Sequence, residues 1–263
     1  MGPIRIVLAG VAVLGAAAAA WYLWPSEPAP PAAPTPVAEA SPAAVPAPPP
    51  AEHYPVPEIA DASPPAQPLP ALDASDMAMG EALAGLLGRD ALARFFRLDS
   101  LVRNIVVTVD NLPRKSFAQR LSPVKPVGGQ MATTGKDDGL AIAPENAARY
   151  APWVALASEV DARKLVALYV RFQPLFQKAY EELGYPKGHF NTRLVQVIDH
   201  LLTAPEPQAP LRLAVPHVLY EYADPVLEGE SAGRKALFRM GNANAAKVKA
   251  KLREIRRALV PPR

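Results

Sequence analysis

Asp161-Ala162-Arg163-Lys164-Leu165-Val166-Ala167-Leu168-Tyr169-Val170-Arg171-Phe172-Gln173-Pro174-Leu175-Phe176-Gln177-Lys178-Ala179-Tyr180-Glu181-Glu182-Leu183-Gly184 is the stretch that decides the architecture. Leu165, Leu168, Tyr169, Phe172, Leu175, Phe176, Ala179, Tyr180 and Leu183 recur at helical spacing and form one wide apolar stripe, the pattern of a helix that buries one face. Asp161 is placed to accept the first free backbone N–H groups, and Gly184 supplies the permissive residue that ends such a helix. Pro174 is expected to kink it. A stripe this broad needs several partners, so the neighbouring sequence should be helical too.

It is. On the carboxyl side, Asn191 reads as the cap of a helix whose inner face is Leu194, Val197, Ile198, Leu201 and Leu202. Leu211–Val215 and Val218–Tyr222 read as a short strand pair around Pro216, and Asp224-Pro225 opens a turn. Ser231–Met240 is helical up to Gly241. Asn242 caps a last helix to Leu259, with Val248, Leu252, Ile255 and Leu259 inward. On the amino side, Ser75 caps a helix to Leu87, Asp90 caps a short one to Phe96, and Asp99 or Ser100 starts one towards Asn111. In that third segment Leu101, Ile105, Val109 and Leu112 fall on one helical face, although the β-branched run Ile105-Val106-Val107-Thr108-Val109 is also compatible with a strand. Gly135-Lys136-Asp137-Asp138-Gly139 has the chemistry of a hairpin turn, and Pro144 suits the first turn of a helix. The expected fold is mainly α with minor β: residues 72–260 form a multi-helix globular domain with one or two short β-hairpins, long enough to bury a core.

Several of these segments resemble one known family. Tyr169-Val170-Arg171-Phe172-Gln173-Pro174-Leu175-Phe176-Gln177, Ala179-Tyr180-Glu181-Glu182-Leu183-Gly184-Tyr185-Pro186, Phe190-Asn191, Arg193-Leu194, Val197-Ile198-Asp199-His200-Leu201-Leu202, Tyr222-Ala223-Asp224-Pro225 and Ser231-Ala232-Gly233 look like the bacterial family called domain of unknown function 3014. Val107 to Arg114 resembles its amino-terminal part, so the likeness spans about residues 76–258. The resemblance implies a bacterial protein with one amino-terminal membrane span. It implies no activity and no catalytic residue.

The amino terminus agrees with that expectation on independent grounds. Ile4–Trp24 is uncharged apart from Arg5. As a helix it would be about 31 Å long, enough to cross the hydrocarbon core of a bilayer. Arg5 precedes the apolar run and no Lys or Arg follows it for dozens of residues, so residues 1–5 are expected in the cytoplasm and the rest in the periplasm. Trp21, Tyr22 and Trp24 gather where aromatic rings favour the interface. The competing reading is a cleaved signal peptide ending at Ala18-Ala19-Ala20. The chain has no cysteine, which excludes lipoprotein processing. From Pro25 to Pro70, 17 of 46 residues are proline, and residues 25–71 are therefore expected to be a disordered, extended linker.

Charge divides along the same boundary. The chain holds 28 basic and 25 acidic side chains; Arg5 and five acids precede residue 71, which leaves 27 and 20 behind it, a net +7. Lys249, Arg253, Arg256 and Arg257 are read as a cluster on the outer side of the last helix, able to meet an anionic surface. In a periplasmic domain the expected partners are the inner membrane itself and an envelope protein or anionic envelope polymer, not nucleic acid. Asp199 and His200, with Tyr185 and Phe190, form the candidate pocket, in which His200 would need a carboxylate nearby to act as a base. The four histidines, His53, His189, His200 and His217, lack metal-ligand spacing, and no phosphate loop or nucleophile elbow is present. No catalytic residue, cofactor or metal is therefore expected. The function read from the sequence is a non-catalytic binding or scaffolding module tethered to the bacterial inner membrane. A periplasmic hydrolase acting on a cell-envelope polymer and a structural subunit of an inner-membrane complex stand as alternatives. The sequence leaves partner, substrate and oligomeric state open.

Overall fold

A computed structural model describes residues 53–58, 68–216 and 219–260. The expected membrane helix with Arg5, Trp21, Tyr22 and Trp24, most of the proline-rich stretch and His217 lie outside the described residues. Within them the protein is mainly helical, with two small antiparallel sheets. The helices are α1 (Asp76–Leu87), α2 (Arg89–Phe95), α3 (Leu101–Asn111), α4 (Ala151–Glu159), α5 (Ala162–Glu182), α6 (Phe190–Leu202), α7 (Pro225–Glu228), α8 (Ala232–Arg239) and α9 (Asn242–Leu259). Among the described residues, no helix is long and apolar enough to cross a membrane.

The helix that dominates the sequence is also central in space. α5 packs against α1, α3, α6 and α9. Its stripe is buried except for half-buried Leu168 and exposed Leu183, so the chain's own helices cover it. Asp161 Oδ1 accepts from the backbone N–H groups of Arg163 and Lys164 at 2.8 and 3.1 Å, and those bonds hold its carboxyl below the ordinary value. The helix runs through Pro174.

The β-branched segment 105–109 is helical, not extended. Leu101, Val102, Ile105, Val106, Thr108, Val109 and Asp110 are all buried, on more than one face of α3. Burial on that scale outweighs a weak intrinsic preference for strand. The helix starts where expected, directly after Ser100, but through a different contact. Ser100 sits at φ +50° and its side chain caps nothing. The Asp76 carboxylate on α1 accepts instead from Ser100 N and Leu101 N, at 2.7 and 2.8 Å. Ser75, expected to cap α1, donates its hydroxyl to the Leu72 carbonyl at 2.6 Å. Gly88 and Gly241, not Asp90 and Asn242, occupy the cap positions of α2 and α9.

The two hairpins fall where the turn chemistry puts them, though each strand is only two residues long. Thr133–Thr134 (β1) pairs with Ala141–Ile142 (β2), and Leu213–Ala214 (β3) pairs with Glu221–Tyr222 (β4). Backbone bonds from Ile142 N to Leu211 O and from Leu213 N to Leu140 O tie the hairpins together. The Asp224-Pro225 turn continues as α7, capped by the Asp224 carboxylate. Gly233 then lets α8 touch the end of α3: a Cβ there would lie 2.6 Å from Leu201 Cδ2 and 3.1 Å from the Leu112 carbonyl oxygen.

Candidate functional site

The amino end of α6 gathers more polar chemistry than any other place highlighted by the sequence. Asp110, near the end of α3, is almost completely buried, with 3% of its side chain exposed. Arg193 on α6 donates through Nε to its Oδ1 at 2.9 Å and through a terminal nitrogen to its backbone carbonyl at 2.8 Å. Arg114 donates to Oδ2 and also to the Tyr185 hydroxyl at 2.8 Å. Tyr185 in turn donates to Oδ2 at 3.2 Å. One desolvated carboxylate thus holds two guanidinium groups and a phenol, and its charge raises the Arg114 pKa. Such a carboxylate is tolerated in a protein interior because every polar neighbour donates to it.

The loop before α6 is built to hold that phenol. Tyr185 stacks on Tyr180 with ring centroids 4.6 Å apart. Gly188 admits the pair, since a Cβ there would lie 2.8 Å from Tyr180 Cε1 and 3.1 Å from Tyr185 Cβ. Gln177 on α5 fastens the loop at both sides: its Nε2 donates to the Gly188 carbonyl and its Oε1 accepts from Phe190 N, at 2.8 and 2.9 Å.

One residue further along, α6 grips a segment from far away in the sequence. Asn191 Nδ2 donates to two successive carbonyls, Tyr54 O at 3.0 Å and Pro55 O at 2.8 Å. The Thr192 hydroxyl accepts from Tyr54 N at 3.1 Å. The His53 and His189 rings lie 4.4 Å apart, and Tyr54 packs against the main core. Residues 53–55, within the stretch read as a disordered linker, are therefore held against α6 by their backbone. This corrects the role of Asn191. It is not the α6 cap, because His189 takes that position; its amide reads a backbone instead.

The other candidates separate. Asp199 and His200 lie at the opposite end of α6, roughly 13 Å along its axis from Phe190, so the four-residue pocket is not assembled. Asp199 pairs through both oxygens with Arg256. His200 Nε2 lies 2.8 Å from Ser231 Oγ, and burial, with the nearby Arg234 charge, lowers its pKa. Phe190 is fully buried and is not displayed at a surface cleft. Glu181 accepts from Gln177, and Glu182 pairs with Arg103. Among the described residues, no group of three or more His, Asp or Glu side chains is arranged to hold a metal.

The basic cluster on α9 is also rearranged. Lys249 is 5% exposed and donates to the Ala204 carbonyl at 2.7 Å. It stops the Ala204 carbonyl, past the end of α6, from being buried without a donor. Arg256 faces Asp199. Arg253 and Arg257 remain exposed, together with Lys247. Lys249 lies four residues after Ala245 and three before Leu252, so helical spacing puts it on the buried face of α9, and the outward reading is corrected.

The family described as "Protein of unknown function (DUF3014)" matches residues 101–256, so the chain belongs to that family. No curated protein and no solved structure matches it.

Proposed function

We propose that this member of the DUF3014 family is a non-catalytic binding module tethered to the bacterial inner membrane. Its helical domain works in the periplasm by gripping an extended, proline-flanked peptide at the amino end of α6. The carrying observation is the double donation of Asn191 Nδ2 to the Tyr54 and Pro55 carbonyls, backed by Thr192. Proline suits such a ligand: it keeps the chain extended and leaves its carbonyls free to accept. The peptide held there belongs to the chain itself. A partner segment of the same chemistry would compete with it, and the tether would set the effective concentration of that competition. The apolar run 4–24 and Arg5 support the anchor, and the lack of basic residues beyond it supports the periplasmic side. Lys247, Arg253 and Arg257 offer an anionic envelope polymer a second contact.

Two measurements test the placement. Carbonate-washed membranes should retain the protein, and a reporter fused after residue 263 should be active only in the periplasm. Release into the soluble fraction, or activity confined to the cytosol, contradicts it. The binding half is tested by photo-crosslinking from position 192 in intact cells. Adducts to an envelope protein that rise when Tyr54 is replaced support competition; the absence of adducts with the segment displaced contradicts it.

A further inference from the structure

The contacts at the amino end of α6 fall on successive residues of the gripped segment, and they set a different demand on each. At position 54 the backbone works in both directions. Its N–H donates to Thr192 Oγ1 at 3.1 Å, and its carbonyl accepts from Asn191 Nδ2 at 3.0 Å. The Tyr54 side chain is half-buried and packs against the main core. At position 55 it is the carbonyl that meets Asn191, at 2.8 Å; proline has no N–H to offer. Position 53 brings its ring to 4.4 Å from that of His189.

Each demand selects residue types. A proline at position 54 would remove the donor that Thr192 accepts, so that position needs a free amide. An aromatic ring there buries a large apolar area and gives up few rotamers in doing so. Proline at position 55 restricts the residue before it to β or polyproline-II backbone, so the pair is arranged before it docks and loses less entropy on docking. Consecutive prolines meet only the last of these demands. Pro48-Pro49-Pro50, a few residues upstream in the same chain, have neither an amide for Thr192 nor a ring for the core.

We propose, resting on the reading of this surface as a peptide site, that the grip is selective for an aromatic residue followed directly by proline, the aromatic residue contributing both its amide and its ring, and that proline runs without an aromatic residue are refused. The partner is a protein segment bearing such a pair, and Tyr54-Pro55 is the built-in copy.

The test uses the full chain in lipid nanodiscs, loosened by Tyr54→Gly with Pro55→Gly and checked for its helices by circular dichroism. A labelled peptide of residues 50–58 is the reference in fluorescence anisotropy. In that peptide Tyr54→Phe should keep the affinity within about fivefold. Tyr54→Ala, or a methyl group on the Tyr54 amide nitrogen, should each weaken it by about tenfold or more. A peptide of residues 42–50, rich in proline and without an aromatic residue, should not bind. The same ranking is read within the chain itself: hydrogen exchange of the residue-54 amide should stay slow with Tyr54→Phe alone and speed up by about tenfold or more with Tyr54→Ala alone. A reference peptide that binds no better than its Tyr54→Ala or amide-methylated form, or than residues 42–50, overturns the selectivity and leaves the peptide site standing. A reference peptide that does not bind the folded, loosened chain overturns both. Equally slow exchange in the Tyr54→Phe and Tyr54→Ala chains overturns the selectivity even where the loosened chain fails to fold.

Discussion

The two ends of α6 are both pinned by ion pairs, and they are built on opposite electrostatic terms. At the amino end Asp110 is 3% exposed and answers to two guanidiniums and a phenol. At the carboxyl end Asp199 and Arg256 meet with 37% and 33% of their side chains exposed. A buried carboxylate has already lost its water, so its partners become indispensable. A half-exposed pair exchanges one set of hydrogen bonds for another and gains little. The same helix thus has one end fixed by desolvated charge, beside the gripped peptide, and one end held by contacts the fold can lose.

Substitution at the buried end should give the largest effect. Asp110→Ala leaves Arg114 and Arg193 facing each other without their carboxylate. It should cost roughly 3 kcal/mol, the lower edge of the range for a broken buried pair, because Arg114 is half-exposed and rehydrates. Urea denaturation measures it; a loss below about 1 kcal/mol would place Asp110 with the surface pairs. Next comes Asn191→Ala. The amide donates twice, but its Oδ1 is buried without a partner, so the expected global loss is only about 1 kcal/mol. Its local effect should be larger: the Tyr54 amide, which donates to Thr192, should be protected from hydrogen exchange in the wild type and exchange freely in the variant.

At the other end, Arg256→Ala should change stability by less than about 1 kcal/mol, as half-exposed pairs do. A smaller signature there depends on pH. Burial and Arg234 lower the folded-state pKa of His200 from its ordinary 6.5, so the unfolded chain takes up a proton more readily. His200 therefore contributes full stability above pH 6.5 and loses it as pH falls below that value. Thermal unfolding at pH 7.5 and pH 5 should show a drop that His200→Gln reduces. An unchanged drop would show that His200 is not its source.

The contrast also explains what could be read in advance. The limits of α5 followed from Asp161, Gly184 and one stripe, because both caps and periodicity are local. α3 was ambiguous between helix and strand because five successive β-branched residues favour a strand locally, although Leu101, Ile105, Val109 and Leu112 share one helical face. The Asp110 cluster had only one local sign, Arg114 four residues on; its other partners, Tyr185 and Arg193, lie 75 and 83 residues away. Asn191 looked like a cap because a short amide ahead of an apolar run usually is one. Nothing near it in sequence announces that residues 53–55 arrive from 137 positions earlier. Lys249 was misplaced for a different reason: its charge was taken to mean exposure, although it sits four residues after Ala245 and three before Leu252 on the buried face.

The most direct measurement offers the gripped segment in trans. In the full chain, Tyr54→Gly with Pro55→Gly should loosen the built-in peptide. A labelled peptide of residues 50–58 should then bind saturably by fluorescence anisotropy. It should bind the wild type weaker by about tenfold or more, because the tethered copy competes at high effective concentration, and adding Asn191→Ala should abolish the gain. Failure of the peptide to bind the loosened chain, or equal binding with Asn191→Ala present, would contradict the account.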